Sequence, residues 1–507
     1  MRTVPLLPID VLLGRQHVIE LAFIFPGRIE VPALRSSFAA LCAKYPVLMG
    51  RMRRSTLSWK GCASNPTPLH GWELRCDDDE HATPVDDALL PLQVRRCGGS
   101  CLDVASSSHV MPSDFMQSAA GASAIMGGRA PPMMASLTHF DGGGSALGVR
   151  LSHGVTDAAG LYRLLFEWSR LHAGRTASGG CDDDRDGLVF QRDEVRSTIM
   201  AHVRAADEKR QLGNHHQQAE DRRNAALTAV DLRTWSGSAL YRLMGALATP
   251  PQLSTPRLHL SLSLDEVDEL RSTCRHAGAS RRPSANEALV ASLSRVATRM
   301  LRLPATARCQ LQMVFDVRRA VRLPQGFVGN AFHSLDSAPT AAAPHAMPIA
   351  ELCAIVRELA QRPFAEAANS YSNPASLKGG WLWMMAMLER GRLPSASPHA
   401  TDAHEYASQP AAVSHKLLAN YQAHFPAEKL MFGDAGGACI RVVPGLGDHL
   451  QMVPRPRGGV DVYLNLGAPR ASLASPTPTR GAGKQAPPHH ALDWEARLRD
   501  AVLDPRL

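Results

Sequence analysis

Residues 135–171 place a His and an Asp four apart between a strand-like run and an amphipathic helix. Two runs of alternating apolar character, 135–140 and 146–151, flank Asp141-Gly142-Gly143-Gly144, and this arrangement predicts a β-hairpin. The second run feeds into Leu151-Ser152-His153-Gly154-Val155-Thr156-Asp157-Ala158-Ala159-Gly160, after which Leu161, Leu164, Leu165, Trp168 and Leu171 recur at helical spacing. His153 therefore leaves a strand end beside a helix start, and Gly154 and Gly160 permit a tight backbone turn there. The chain repeats the four-residue His-to-Asp spacing at His489 and Asp493, in a Pro-, Ala- and His-rich stretch with no strand before it. Spacing alone thus carries little, and context singles out His153. For that pair two readings stand side by side: a reactive imidazole, or a core histidine beside an Asp that caps the next helix.

The chain has 507 residues, which favours two large domains. With 45% hydrophobic and 20% charged residues it has ample material for a core, and no run approaches the ~18 apolar residues of a membrane span. Pro5, Pro8, Asp10 and Arg15 interrupt any signal-like apolar segment near the start, so a cytoplasmic protein is expected. The ten cysteines are scattered, and the close pair Cys97 and Cys101 lacks a second pair at zinc spacing; a reducing compartment and no metal are expected. The net charge of +8 comes from dispersed arginines in a chain with 5% aromatics, which suits an anionic small molecule as well as nucleic acid. No nucleic-acid partner is expected, and no internal repeat is visible.

Periodicity places a strand over 18–25, a helix over 31–43, irregular connections over 60–130, and a polar crossover over 174–256 that contains Asp182-Asp183-Asp184. A strand over 258–264 and a helix over 265–276 follow. Ser284-Ala285-Asn286-Glu287 reads as a capping box opening a helix whose buried face uses Leu289, Leu293, Val296 and Met300. Further strands are expected over 308–317, 440–443, 450–453 and 460–466. The Pro-, Ser- and Ala-rich stretches 395–412 and 468–490 read as loops.

Taken in order, several short motifs resemble those of the BAHD acyltransferases, enzymes that move an acyl group from coenzyme A to an alcohol or amine. Pro5-Leu6-Leu7-Pro8-Ile9-Asp10 is similar to the family's L-s-P-x-D segment, Tyr45-Pro46-Val47-Leu48-Met49-Gly50-Arg51 to its YPxLAGR, and His153 to Gly160 to its HxxxDG block. Ser284 to Ala291, Asp316-Val317-Arg318 and Phe327-Val328-Gly329-Asn330-Ala331 resemble S-x-x-D-A-L-x-A, D-x-R and y-x-G-N-a. The family's DFGWG is reduced to Met431-Phe432-Gly433-Asp434-Ala435, in which Phe432 and Gly433 alone survive. The resemblance runs from about residue 5 to about residue 468 and covers most of the chain.

The resemblance implies an α/β fold: two chloramphenicol-acetyltransferase-like domains of mixed sheets flanked by helices, with a channel between them. The domains would span 1–205 and 257–507, joined by a linker over 206–256, with 375–425 crossing back to the first domain. His153 would be the general base, with Asp157 turned away from the channel to pair with Arg318, so that Asp157, Gly160, Asp316 and Arg318 support the site. Arg281, Arg282 and Ser284 are candidates for holding CoA, and Asn420, Tyr421, Phe432 and Gly433 for the channel wall or oxyanion contacts. Acyl-CoA would be a co-substrate rather than a resident cofactor, a small-molecule hydroxyl or amine the acceptor, secondary metabolism the setting, and the protein a monomer. Two alternatives remain open from sequence: a condensation-type enzyme using carrier-protein thioesters, although Ser152 stands where that group carries a second His, and a non-catalytic binding relative, suggested by the eroded DFGWG.

Overall fold

The computed structural model describes residues 2–54, 71–76, 90–107, 110–116, 121–174, 187–212, 229–231, 258–275, 281–324, 326–361, 381–382, 384–385, 388, 392–394, 415–432, 438–445, 450–456, 458–465 and 490–503. The first half runs β1 (Arg2–Pro5), α1 (Pro8–Gln16), β2 (Val18–Phe25), α2 (Val31–Lys44), β3 (Arg51–Arg54), β4 (Trp72–Cys76) and β5 (Leu92–Cys97). It continues through α3 (Cys101–Ser106), α4 (Ala122–Met126), β6 (Met133–Phe140), β7 (Ser145–Ser152), α5 (Ala158–His172) and α6 (Asp193–Leu212). The second half comprises β8 (Ala229–Asp231), β9 (Leu258–Leu262), α7 (Leu264–Thr273), α8 (Ala285–Met300), β10 (Cys309–Asp316), β11 (Phe332–Asp336) and α9 (Ile349–Gln361). It ends with β12 (Arg392–Pro394), β13 (His415–Tyr421), β14 (Arg441–Pro444), β15 (Leu450–Pro454), β16 (Val460–Leu464) and α10 (His490–Leu503).

The expected hairpin is β6 and β7, antiparallel at the centre of a five-stranded sheet ordered β14-β2-β7-β6-β5. Nearly every residue of β7 is buried, because sheet neighbours flank it and helices cover its face. On that face α5 packs against α2: Trp168 and Phe38 approach with ring centroids 4.7 Å apart, and the Trp168 indole N–H donates to Ser37 Oγ at 3.1 Å. A six-stranded mixed sheet ordered β11-β10-β13-β15-β16-β9 forms the second half. Its long helix α8 buries Val290, Ala291 and Ala297 as well as the expected Leu289, Leu293, Val296 and Met300. A helix apolar nearly all round belongs in a core, and α7, α9 and α10 enclose α8 on the sides that the sheet leaves open.

Among the described residues one segment returns to the first sheet. Its strand is β14, antiparallel to β2 with Arg441 opposite Ile24 and Pro444 opposite Leu21. From the expected span 375–425, residues 415–421 form β13 in the second sheet, and 392–394 pair with 229–231. The apolar run at 440–443 was recognisable as a strand, but only tertiary contact decides that it completes the open edge of β2. The boundary expected at 205 falls inside α6, and most of 206–256, together with 468–489, lies outside the described residues. No helix among the described residues is long and apolar enough to cross a membrane.

Candidate active site

His153 stands one residue beyond β7, in a turn that ends where Asp157 caps α5 by accepting the Gly160 N–H at 2.9 Å. Close packing shapes that turn. A methyl group on Gly14 of α1 would lie 2.8 Å from Gly154 Cα, and one on Gly160 would lie 1.8 Å from Thr156 Oγ1. The His153 N–H donates to the His17 carbonyl at 3.3 Å, which ties the turn to the end of α1. The imidazole is half-buried, with the Phe332 ring centroid 5.7 Å away and that of His17 at 6.5 Å.

Asp157 makes no described hydrogen bond to His153. Its Oδ1 accepts from the Arg318 guanidinium at 2.8 Å, and its Oδ2 accepts from the Ala331 N–H at 3.0 Å. Arg318 also donates to the Phe327 carbonyl at 3.1 Å and the Gly329 carbonyl at 2.6 Å, while Asp316 Oδ1 accepts the Arg318 backbone N–H at 2.8 Å. Both members of the pair are buried. Burial pushes the Asp157 carboxyl up, but the Arg318 charge and the hydrogen bonds from Arg318, Ala331 and Gly160 outweigh it and hold the group below the usual carboxylate range. The clasp joins the helix start of the first half to the 316–331 loop of the second.

The partner of the His153 ring is Asn330. Its Oδ1 lies 2.9 Å from His153 Nδ1, while its Nδ2 donates to Asp10 Oδ1 at 2.8 Å and to the His153 carbonyl at 2.7 Å. A carboxylate and a carbonyl can only accept, so the amide orientation is determined and Asn330 presents its oxygen to the imidazole. The neutral ring then carries its proton on Nδ1 and its lone pair on Nε2. Asp10 is held in turn by the Leu7 N–H at 3.1 Å and Arg192 Nε at 3.2 Å, and Arg192 also donates to the Phe190 and Val155 carbonyls. Burial lowers the His153 pKa below its usual value, an effect that the Asp157 charge, Asn330 and the Asp10 charge oppose without cancelling.

The family resemblance implies the Asp157–Arg318 pair and assigns no role to Asp10, Asn330 or Arg192. Asp10 and Asn330 sat inside recognised motifs, so their signal was present. Arg192 had none, because its partners are distant in sequence.

The remaining candidates do not converge on His153. Arg281 donates to the buried carboxylate of Glu287 at 2.6 Å, and Arg282 pairs with Asp268 at 2.9 Å. Ser284 caps α8 by accepting the Glu287 N–H at 3.2 Å, but the expected reciprocal contact is missing because the Glu287 side chain is taken by Arg281 and Arg357. The reciprocal box occurs instead at Ser263 and Glu266, at the start of α7. Asn420 and Tyr421 end β13, two strands from β11, and Tyr421 stacks on His424. Phe432 is a correction: at 1% exposure it packs against Trp168, Phe25 and His172, and so belongs to the core beneath α5 rather than to a channel wall. Ser169 of α5 bonds both the N–H and the carbonyl of Met431, which docks this stretch on the helix. Gly433 lies outside the described residues.

Residues 100–240, which include the His153 turn, match the Transferase family. No curated protein matches the chain. Solved structures share its fold. TRI101 of F. graminearum, complexed with coenzyme A and deoxynivalenol, is 12% identical with a TM-score of 0.60, over 92% of this chain and 95% of that one. TRI101 of F. sporotrichioides, complexed with coenzyme A and T-2, is 14% identical at 0.58, over 92% and 94%. Vinorine synthase is 15% identical at 0.53, over 92% and 90%. Over residues 100–240, which carry the His153 turn, the chain is thus similar to the Transferase family, and over most of its length it shares the fold of these structures.

Proposed function

We propose that the protein transfers an acyl group from acyl-CoA to a hydroxyl or amine of a small-molecule acceptor, with His153 as general base. One observation carries the reading: Asn330 holds the Nδ1 proton and thereby leaves the Nε2 lone pair for the acceptor. A thioester is already activated, so the chemistry needs a base and no covalent acyl-enzyme. The acceptor proton moves to Nε2 as its oxygen or nitrogen forms a bond to the thioester carbonyl carbon. The tetrahedral intermediate then collapses, the carbon–sulfur bond breaks, and Nε2–H returns the proton to the CoA thiolate. A lowered pKa keeps the imidazole neutral near pH 7, as a base must be before it acts. Asp157 and Arg318 hold the turn, and the carboxylate stays ionised throughout. On this reading the phosphates of CoA meet the basic turn of Arg281 and Arg282 ahead of Ser284, where both guanidiniums remain partly exposed.

The test is release of free CoA from several acyl-CoAs with a panel of alcohols and amines, using wild type and His153→Gln. Loss of a general base costs about 10²- to 10⁴-fold in rate. Equal rates in the two proteins would remove His153 from the mechanism, and turnover with a carrier-protein thioester alone would replace the proposed donor.

A further inference from the structure

Beside the His153 turn stands a cationic pair that has no carboxylate partner among the described residues. Arg54 lies opposite Trp72 across the β3–β4 ladder, so the two side chains share one face of the three-stranded β1-β4-β3 sheet. The Arg15 guanidinium lies over the Trp72 ring, 5.1 Å from its centroid. Two residues before Arg54 on the same face is Met52, whose Cε would be 3.0 Å from a methyl on Gly154; the Cα of Gly14, the neighbour of Arg15, would be 3.2 Å from the same methyl. Residues two apart on a strand are separated by about 7 Å, so Arg54 stands one such step from the side chain that touches the His153 turn. Arg15 is half-buried and Arg54 exposed, and among the described residues neither has a carboxylate partner. Of the described acids nearby, Glu73 points to the opposite face and pairs with Arg75 at 2.5 Å, and Asp10 is held by Asn330 and Arg192. Burial and the adjacent Arg54 charge lower the Arg15 pKa.

We propose that Arg15 and Arg54 form an anion-binding subsite that grips a carboxylate or phosphate group of a substrate whose reacting end lies at His153. The indole face restricts the Arg15 guanidinium, so its planar fork meets an anion with little further ordering. The anion is either a phosphate of CoA or a charged group on the acceptor. The role of that ligand as a substrate rests on the acyl-transfer reading; anion binding does not.

The test is calorimetric titration of the full chain at low ionic strength with inorganic pyrophosphate and with CoA, for wild type, Arg15→Gln, Arg54→Gln and Arg96→Gln. Arg96 is exposed on the edge strand β5, so its variant controls for loss of one positive charge elsewhere. Pyrophosphate affinity is expected to fall about tenfold in each of the first two variants and to hold in the third. A parallel fall in CoA affinity, with pyrophosphate competing, assigns the subsite to the donor; unchanged CoA affinity without competition assigns it to the acceptor. Absence of pyrophosphate binding in wild type, or equal binding in all four proteins, overturns the subsite. None of these outcomes requires turnover, so a failure of acyl transfer is read separately.

Discussion

Asn330 Oδ1 accepts the Nδ1 proton of His153 at 2.9 Å, and the same amide donates to Asp10 at 2.8 Å and to the His153 carbonyl at 2.7 Å. This one side chain sets which imidazole nitrogen faces a substrate. Asn330→Ala removes that definition and strands Asp10 Oδ1 in a buried site. The expected result is a fall of about 10- to 100-fold in kcat, in the range of losses seen when an orienting partner is removed, with a smaller change in KM. Steady-state kinetics checks it, and a kcat equal to wild type would mean that the ring orients itself.

Arg318→Ala leaves the buried Asp157 carboxylate without its cation. Breaking one side of a buried pair costs about 3–5 kcal/mol, so a large drop in thermal or denaturant stability is expected along with lost activity. Arg318→Lys retains the charge but not the fork that also reaches the Phe327 and Gly329 carbonyls, and should recover the stability in part.

The pH dependence follows from two directions. His153 titrates below its usual value of about 6.5, so the folded state binds fewer protons than the unfolded chain just below that pH. Its contribution to stability is full above about pH 6.5 and is lost as pH falls through the folded value. The acid limb of kcat/KM in the wild type should therefore lie below pH 6.5, and a limb above that point would contradict the burial effect. Asp157 is also depressed, so its contribution is present above its usual value of about 3.9 and lost under stronger acid, where Arg318 loses its partner.

Gly160→Ala forces a methyl group to within 1.8 Å of Thr156 Oγ1. Overpacking of this kind costs about 1–3 kcal/mol. If the Thr156 side chain is the obstacle, Thr156→Ala should restore most of the loss in the double variant, and a thermodynamic cycle measures the coupling. Additive losses would point to the backbone of the turn instead.

Phe432→Ala opens a cavity among Trp168, Phe25 and His172, at a cost of about 3–5 kcal/mol. Because the ring packs beneath α5, substrate KM values should stay within about twofold in whatever fraction remains folded, a modest range for a residue acting through stability. A selective rise in KM for one substrate would return Phe432 to the channel.

Local pattern alone determined the hairpin before His153, the helix after it and the strand over 18–25, because alternation and helical spacing are properties of neighbouring residues. The Asp157–Arg318 pair follows from the family resemblance of the ordered motifs, and the two side chains meet at 2.8 Å. What the sequence could not settle depended on partners remote along the chain. Arg192 reaches Asp10 across 182 positions and Asn330 reaches His153 across 177, so neither contact leaves a local periodicity to read. The Ser284 cap formed as its spacing predicts, but Arg281 and Arg357 drew the buried Glu287 carboxylate away from closing the box. Phe432 kept its motif position and yet turned into the core, and the strand expected over 440–443 crossed to the sheet whose edge lacked a strand. Where backbone preference and side-chain period suffice, sequence decides; where a buried polar group or an open edge must find its partner, the tertiary fold does.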